Sequence, residues 1–461
     1  MIATPTANPL EILSLTPSSP KDNSPEETRR ERLVAHQLVP TISPGYRYQC
    51  QLNGWVLSRG ESVTTIAVVH QQQVLRQAAV NLPSPDVAAQ YPQFVPAADA
   101  AVTSEVANVD ICRFQLEFSV LGLPSPVDLE IRARWDDDTE IPLATLRLRY
   151  PPLQTSYIPQ FQPLILTSLG RTGSTWFMRL LSQHPQIITH RAHPYETRIA
   201  QYWLQMLRVL AQPADLVAST PHEGFEQTLT WIGANPFGRS GLLPPAPTTW
   251  LANDYVEHLA TFCQQSIDGL YRQLAQAQQQ ATGEEQPCYF AEKWVISPNS
   301  ELCWQLYPQA REVILVRDFR DMVCSMLAFN AKRGYASFGR QKVASDAEFI
   351  HDRVLTFATK LHHRWQQRPD QIQIVRYEDL IQSPVPTLTR LLTYLDLPAL
   401  PATIAQMQAT AQADSDTLQA HRTSTSIAAS IGRWRTDLSP ALQQICHEVL
   451  AGPLHAFGYE V

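Results

Sequence analysis

At 461 residues the chain is long enough for two or three domains with sizeable cores. A formal net charge of −7 excludes the global basic field of a nucleic-acid binder, so any anion site must come from local clusters. No apolar run approaches the roughly 20 residues of a membrane span. The first residues lack the basic-then-apolar pattern of a signal peptide, and seven cysteines without a C-x-x-C pair speak against a disulfide framework or a zinc site. The expectation is a cytoplasmic protein with no transmembrane segment, no nucleic-acid partner and no metal.

Residues 1–40 are rich in Pro, Ser, Thr and charge and read as a flexible leader, with a short helix at Pro25–His36. From Tyr46 the texture changes. Runs at Tyr46–Leu52, Val63–Val69, Val74–Val80, Cys112–Leu121, Val127–Ala133 and Ile141–Arg149 are β-branched and apolar, and turn-prone residues separate them. In DLEIRARW (128–135) every second residue is charged, the period of a half-buried strand. These runs predict a small antiparallel β-sandwich over 41–150, with a longer loop at Ser84–Val109. Trp135-Asp136-Asp137-Asp138 reads as a solvated hairpin turn rather than a metal cluster. Gly54-Trp55-Val56, Pro85-Asp86-Val87 and Tyr91-Pro92 are similar to β-rich accessory modules ahead of bacterial glycosyltransferase-like enzymes. Substrate or partner binding and a plain packing role both stay open for this region.

Pro151-Pro152 and Pro159 mark a linker, and a second domain occupies 151–461. Apolar runs at Leu164–Leu166, Gln186–Thr189, Cys288–Lys293, Glu312–Val316 and Gln371–Val375 read as buried strands. Helical periods alternate with them: Arg198–Leu210, Tyr255–Gln280, Asn299–Leu306 after a Ser297-Pro298 cap, a helix through Asn330, one capped by Asp346 and running to Gln366, and Pro384–Leu395. Alternation of this kind predicts an α/β fold, a parallel sheet with helices on both faces. Asn235–Thr249, broken by four prolines and two glycines, is expected to be a long loop and a candidate acceptor lid.

The most informative stretch is Gln162–Ser182, QPLILTSLGRTGSTWFMRLLS. A strand runs into a turn with Gly170 and Gly173, and a helix carrying Trp176, Phe177, Leu180 and Leu181 follows, with Ser174 and Thr175 as possible caps. Strand, glycine turn and helix start make an anion cradle, to which Arg171 adds a permanent cation. A Walker loop needs Gly-Lys-[ST] after four intervening residues. Here two residues separate the glycines and no lysine follows Gly173.

R-[ST]-G-[ST]-[ST]-W after a strand instead resembles the 5′-phosphosulfate loop of sulfotransferases. Val316–Ser325, VRDFRDMVCS, resembles their 3′-phosphate motif R-D-x-R-x-x-x-x-S, and Ile431–Leu438, IGRWRTDL, resembles their late G-R-W-[RK] segment. The late segment departs from the longer form of the cytosolic small-molecule enzymes and favours the carbohydrate and tyrosyl-protein branches. The resemblance covers Gln162 to the C-terminus. It implies a nucleotide-kinase-like core and 3′-phosphoadenosine 5′-phosphosulfate (PAPS) as co-substrate. It assigns the nucleotide to Arg171, Thr172, Gly173, Ser174, Thr175, Trp176, Arg317, Ser325, Tyr377, Ser424 and Arg433. Arg317 leaves a strand end and Ser325 stands about two helical turns on, so both can reach one phosphate. Alternatively Arg317 pairs with Asp318 or Asp321, Tyr377 is a core tyrosine and Trp176 simply packs its helix.

Sulfuryl transfer requires a base for the acceptor hydroxyl and cations for the transferred group and the leaving oxygen. Arg171 and Lys293, at neighbouring strand ends, suit the charge. Tyr195-Glu196-Thr197-Arg198 resembles the E-T-R of tyrosyl-protein sulfotransferases, whose Glu is the base; His193 is the rival, with His190 behind it. Arg198 contacts the acceptor or holds Glu196. The expected acceptor is a hydroxyl of a glycan or glycolipid, with a peptide tyrosine or small alcohol as the alternative. A P-loop-like kinase and an inactive nucleotide- or glycan-binding protein are the readings from other classes.

Overall fold

The computed structural model describes residues 10–18, 32–42, 47–59, 61–71, 73–94, 111–212, 254–282, 287–296, 298–412 and 422–461. The chain divides into two compact units, Met1–Ser156 with Leu204–Cys263 and Tyr157–Trp203 with Gln264–Val461. Among the described residues no helix is long and apolar enough to cross a membrane.

The first unit carries two antiparallel sheets. Its strands are β1 (Glu11–Pro17), β2 (Leu33–Thr41), β3 (Gln49–Ser58), β4 (Thr65–His70), β5 (Gln73–Ala79), β6 (Leu82–Pro83), β7 (Ile111–Ser119), β8 (Val127–Arg134) and β9 (Glu140–Arg149). The sheet orders are β1-β9-β8-β4-β5 and β2-β3-β7-β6. In β8 the period-2 pattern is explicit: Val127, Leu129, Ile131 and Ala133 are buried and Asp128 is exposed. The acidic run after it forms the β8–β9 hairpin turn, where Asp138 takes a positive φ and its N–H meets the Trp135 carbonyl.

Three expectations need correction here. The leader is not uniformly irregular, since β1 pairs with β9 and β2 with β3. Most side chains of β1 are exposed, so ladder hydrogen bonds rather than an apolar stripe carry that edge strand, and composition hides it. The helix expected at Pro25–His36 is strand from Leu33 onward, and 25–31 lie outside the described residues. Part of the expected loop at Ser84–Val109 is a short helix, Pro85–Gln90, with a 3₁₀ turn at Pro92–Phe94; 95–110 lie outside the described residues.

The second unit is built on a parallel sheet of β10 (Gln162–Ser168), β11 (Ile187–Ile188), β12 (Tyr289–Trp294), β13 (Arg311–Val316) and β14 (Ile372–Arg376), in the order β11-β12-β10-β13-β14. Both faces are covered, and β13 shows why its sequence is continuously apolar. Val313 and Leu315 enter one core with Leu164 and Leu166, while Ile314 and Val316 enter another with Phe319 and Met322. The chain leaves β10 to one side for β11 and β12, then crosses to the other for β13 and β14, so the carboxyl end of β10 lies at the switch point where ligands bind in such sheets. The helix expected from Asp346 is capped by Ser345, whose hydroxyl accepts from the Glu348 N–H, and it contains a π segment at Phe349–Val354. Ser297 and the candidate lid at Asn235–Thr249 lie outside the described residues.

Candidate active site

The glycine turn at the end of β10 is shaped by two close approaches. A Cβ on Gly170 would meet the Phe338 ring at 2.7 Å, and one on Gly173 the Tyr377 ring at 2.7 Å. Gly173 also has φ +87°, which favours glycine, and it is itself the N-cap of the helix Ser174–Leu181. Ser174 and Thr175 therefore open the helix instead of capping it, and the glycine N-cap offers its first N–H groups no side-chain acceptor. Gly173, Ser174, Thr175 and Trp176 line a cavity of about 290 Å³.

Four guanidinium groups share that cavity: Arg171, Arg317, Arg422 and Arg433. Arg171 adopts a positive φ, lies over the Phe329 ring at 4.3 Å and donates from Nε to the Ser325 hydroxyl at 3.2 Å. Burial, followed by repulsion from Arg317, Arg333 and Arg433, pushes its pKa down to about 10. Arg317 leaves the end of β13 and is 5% exposed. Its guanidinium donates to the Arg171 carbonyl at 3.1 Å and the Ser430 carbonyl at 2.6 Å and lies 4.9 Å from the Tyr377 ring centre, while its Nε is buried with no hydrogen-bond partner among the described residues.

The acids that might have neutralised Arg317 are engaged elsewhere. Asp318 caps the helix Phe319–Arg333 and holds Arg320 through a forked pair at 3.0 and 2.8 Å. Asp321 is fully buried and accepts from the Gly432 N–H at 2.6 Å and the Trp434 N–H at 2.9 Å. It thereby pins the G-R-W segment to the sheet. Burial outweighs these two donors and raises its pKa to about 6. Arg433 pairs with Asp437 at 2.6 Å and reaches the Thr423 hydroxyl, which in turn meets Ser325 at 3.1 Å. Tyr377 meets Ser430 through its hydroxyl at 3.1 Å and packs edge-on to Trp176.

On the other side of β10, Lys293 near the end of β12 pairs with Glu196 Oε1 at 2.9 Å, and Arg198 reaches the same oxygen at 3.3 Å. Glu196 Oε2 is buried with no hydrogen-bond partner among the described residues. This loop is anchored by Glu292, the strand neighbour of Lys293, which is 1% exposed. Glu292 accepts from the Tyr271 and Thr197 hydroxyls, the Ala200 N–H at 2.9 Å and the Trp294 indole at 2.8 Å. His193 lines the cavity of the four arginines, whereas Glu196 and Lys293 do not.

Of the residues singled out in the sequence, Arg171, Gly173, Ser174, Thr175, Trp176, His193, Arg317, Ser325, Tyr377, Ser424 and Arg433 line one cavity. Ser424 spends its hydroxyl on the Ser426 carbonyl at 2.8 Å. Thr172 faces away: it is buried and donates to the Leu169 carbonyl at 2.9 Å, bracing the turn from inside. Arg422, Thr423 and Ser430 also line the cavity, and neither motif spacing nor helical period marks them. The roles of Asp321 and Glu292 escape notice for another reason. Most of their partners are backbone or hydroxyl groups far away in sequence.

A protein-family model described as "Sulfotransferase family" matches residues 163–402. No curated protein matches the sequence. Among solved structures, the sulfotransferase domain from the curacin biosynthetic pathway is 15% identical, covering 66% of this chain and 100% of that one, with a TM-score of 0.38. The sulfotransferase domain from the Synechococcus PCC 7002 olefin synthase is 19% identical over 67% and 98%, with a TM-score of 0.36. A mouse sulfotransferase complexed with PAP is 11% identical over 64% and 84%, with a TM-score of 0.32. The family match spans more than half of the chain, which belongs to the sulfotransferase family.

Proposed function

We propose that the protein transfers a sulfuryl group from PAPS to an acceptor hydroxyl. The observation that carries this reading is the cavity wall: four arginines and seven hydroxyl-bearing side chains beside a helix start whose N-cap is a glycine, with no carboxylate among the described lining residues. Burial and mutual repulsion make such a cluster costly without an anion, as the lowered pKa of Arg171 indicates. The buried, unpartnered Nε of Arg317 is a further donor awaiting an acceptor. In this reading Arg317 and Ser325 hold the 3′-phosphate, and Ser174, Thr175 and the helix start hold the 5′-phosphosulfate. Trp176 and Tyr377 flank the adenine, and Arg433 and Ser424 close over the nucleotide.

When bound, PAPS supplies the sulfuryl group: the acceptor oxygen bonds to sulfur as the sulfur–oxygen bond to the 5′-phosphate breaks, and the acceptor proton passes to a base. Glu196 is that base. Its Oε1 is held by Lys293 and Arg198, which leaves the buried Oε2 as the oxygen with room for a proton. Lys293 and Arg171 stabilise the charge that develops on the leaving and equatorial oxygens. A second reading makes His193 the base, because it is His193 that lines the cavity. Transfer of radiolabelled sulfate from PAPS to a panel of hydroxyl acceptors tests the function. Labelled product with PAPS supports it; saturable nucleotide binding without transfer to any acceptor favours a binding protein.

A further inference from the structure

A second cavity, of about 360 Å³, opens on the other side of the same glycine turn and is lined by Ser168, Leu169 and Gly170. Its volume is within the roughly 300–1,000 Å³ of small-molecule sites. Apolar side chains dominate the rest of its wall, among them Val295, Met326, Phe338 and Phe357. Val295 stands two residues beyond Lys293 on the chain.

Two cations interrupt this apolar wall, Lys342 and Arg353. Neither side chain has an ion pair or hydrogen bond among the described residues, and Arg353 Nε is buried without a partner. The nearby acids are engaged: Asp346 holds Arg340 at 2.6 Å, Asp352 meets His351 at 3.0 Å, and Glu348 takes the Ala344 N–H at 2.8 Å. Arg353 projects from the π segment Phe349–Val354, a distortion that re-aims side chains and is frequent at functional sites. A guanidinium that leaves a buried N–H unpaired in an apolar wall is costly unless a ligand completes it.

We propose that this cavity takes the acceptor, and that the acceptor is an amphipathic alcohol: an apolar chain carrying the hydroxyl and, at a distance from it, a carboxylate held by Arg353 and Lys342. The inference rests on the sulfuryl-transfer reading for its role, but the binding chemistry can be read without it. A free sugar suits the cavity poorly, because the wall offers few partners for its hydroxyls.

The test is equilibrium binding of 12-hydroxydodecanoate, 1-dodecanol and maltotriose to the full chain, with PAP titrated separately. The hydroxy acid should bind the wild type at least tenfold tighter than the alcohol, and maltotriose should not bind measurably. Arg353→Gln should erase most of that tenfold preference and leave the alcohol and PAP unchanged. Lys342→Gln, on a more exposed side chain, should lower it by a smaller factor and guards against misfolding of the first variant. Failure of PAP alone would count against the sulfotransferase reading and leave the hydroxy-acid result to be judged by itself. The proposal is overturned if the acid has no advantage over the alcohol, if both variants weaken the two probes equally, or if maltotriose binds more tightly than either.

Discussion

The two cavities of the second unit meet at one glycine turn, with Arg171–Trp176 on one side and Ser168–Gly170 on the other, yet their cations are held differently. In the first, Arg317 is fixed by the Arg171 and Ser430 carbonyls, Arg171 by Ser325, and Arg433 by Asp437 and Thr423. In the second, Arg353 and Lys342 stand in a wall of apolar side chains without such partners among the described residues. A network that orients guanidinium groups before the ligand arrives selects an anion of fixed geometry. A lone cation in an apolar wall selects for charge and hydrophobic fit with less demand on shape. On the proposed reading the first cavity is preorganised for its nucleotide, and the second is completed by its ligand.

The largest effect should come from the proposed base, which lines neither cavity wall. Glu196→Gln is expected to lower kcat by roughly 10²–10⁴-fold while PAP and hydroxy-acid affinities hold, since general-base catalysis is worth about that much. His193→Asn should be milder in the same steady-state assay; a reversal of the two would hand the proton to His193.

The next substitution breaks one side only. Asp321→Ala orphans the Gly432 and Trp434 N–H groups. It should cost about 1–3 kcal/mol for each of these half-buried donors. Denaturant titration reads the stability, and the Kd of PAP should rise while the second cavity keeps its affinity. The same residue gives a pH signature. Its folded pKa of about 6 lies above the usual 3.8, so the folded state binds that proton more tightly than the unfolded chain. Its contribution is fully present below about pH 4 and is lost as pH rises through about 6, on the order of 3 kcal/mol in all. Asp321→Asn should flatten that part of the Tm-against-pH curve.

A smaller effect is expected at Glu292, whose carboxylate anchors the Glu196 loop. Glu292→Gln turns an amide NH₂ toward donors and should cost about 1–3 kcal/mol of stability. It should lower kcat with KM for PAPS little changed, because the nucleotide wall does not depend on it.

Much of this contrast was legible in the chain. The glycine turn, the apolar strands and the Arg317–Ser325 spacing are local patterns, and each reports a local cause: a close approach, a sheet buried on both faces, a strand-to-helix turn. Thr172 shows the limit of a motif, since its hydroxyl turns inward to Leu169 although its neighbours line the cavity. Arg422, Thr423 and Ser430 have no period to reveal them, because contacts distant in sequence hold them: Lys332 reaches the Arg422 carbonyl, Ser325 meets Thr423 and Arg317 donates to the Ser430 carbonyl. The strand β1 was hidden for a related reason: it is held by main-chain bonds to β9, which side chains do not encode.

The most direct test of the preorganised nucleotide cavity is calorimetric titration of PAP and of adenosine 5′-phosphosulfate, which lacks the 3′-phosphate, into wild type and Arg317→Ala. The account predicts that the substitution weakens PAP by about tenfold to a hundredfold, the worth of a charge-assisted pair, and leaves adenosine 5′-phosphosulfate nearly unchanged. Equal losses for both nucleotides, or a wild type that does not bind PAP, would contradict it.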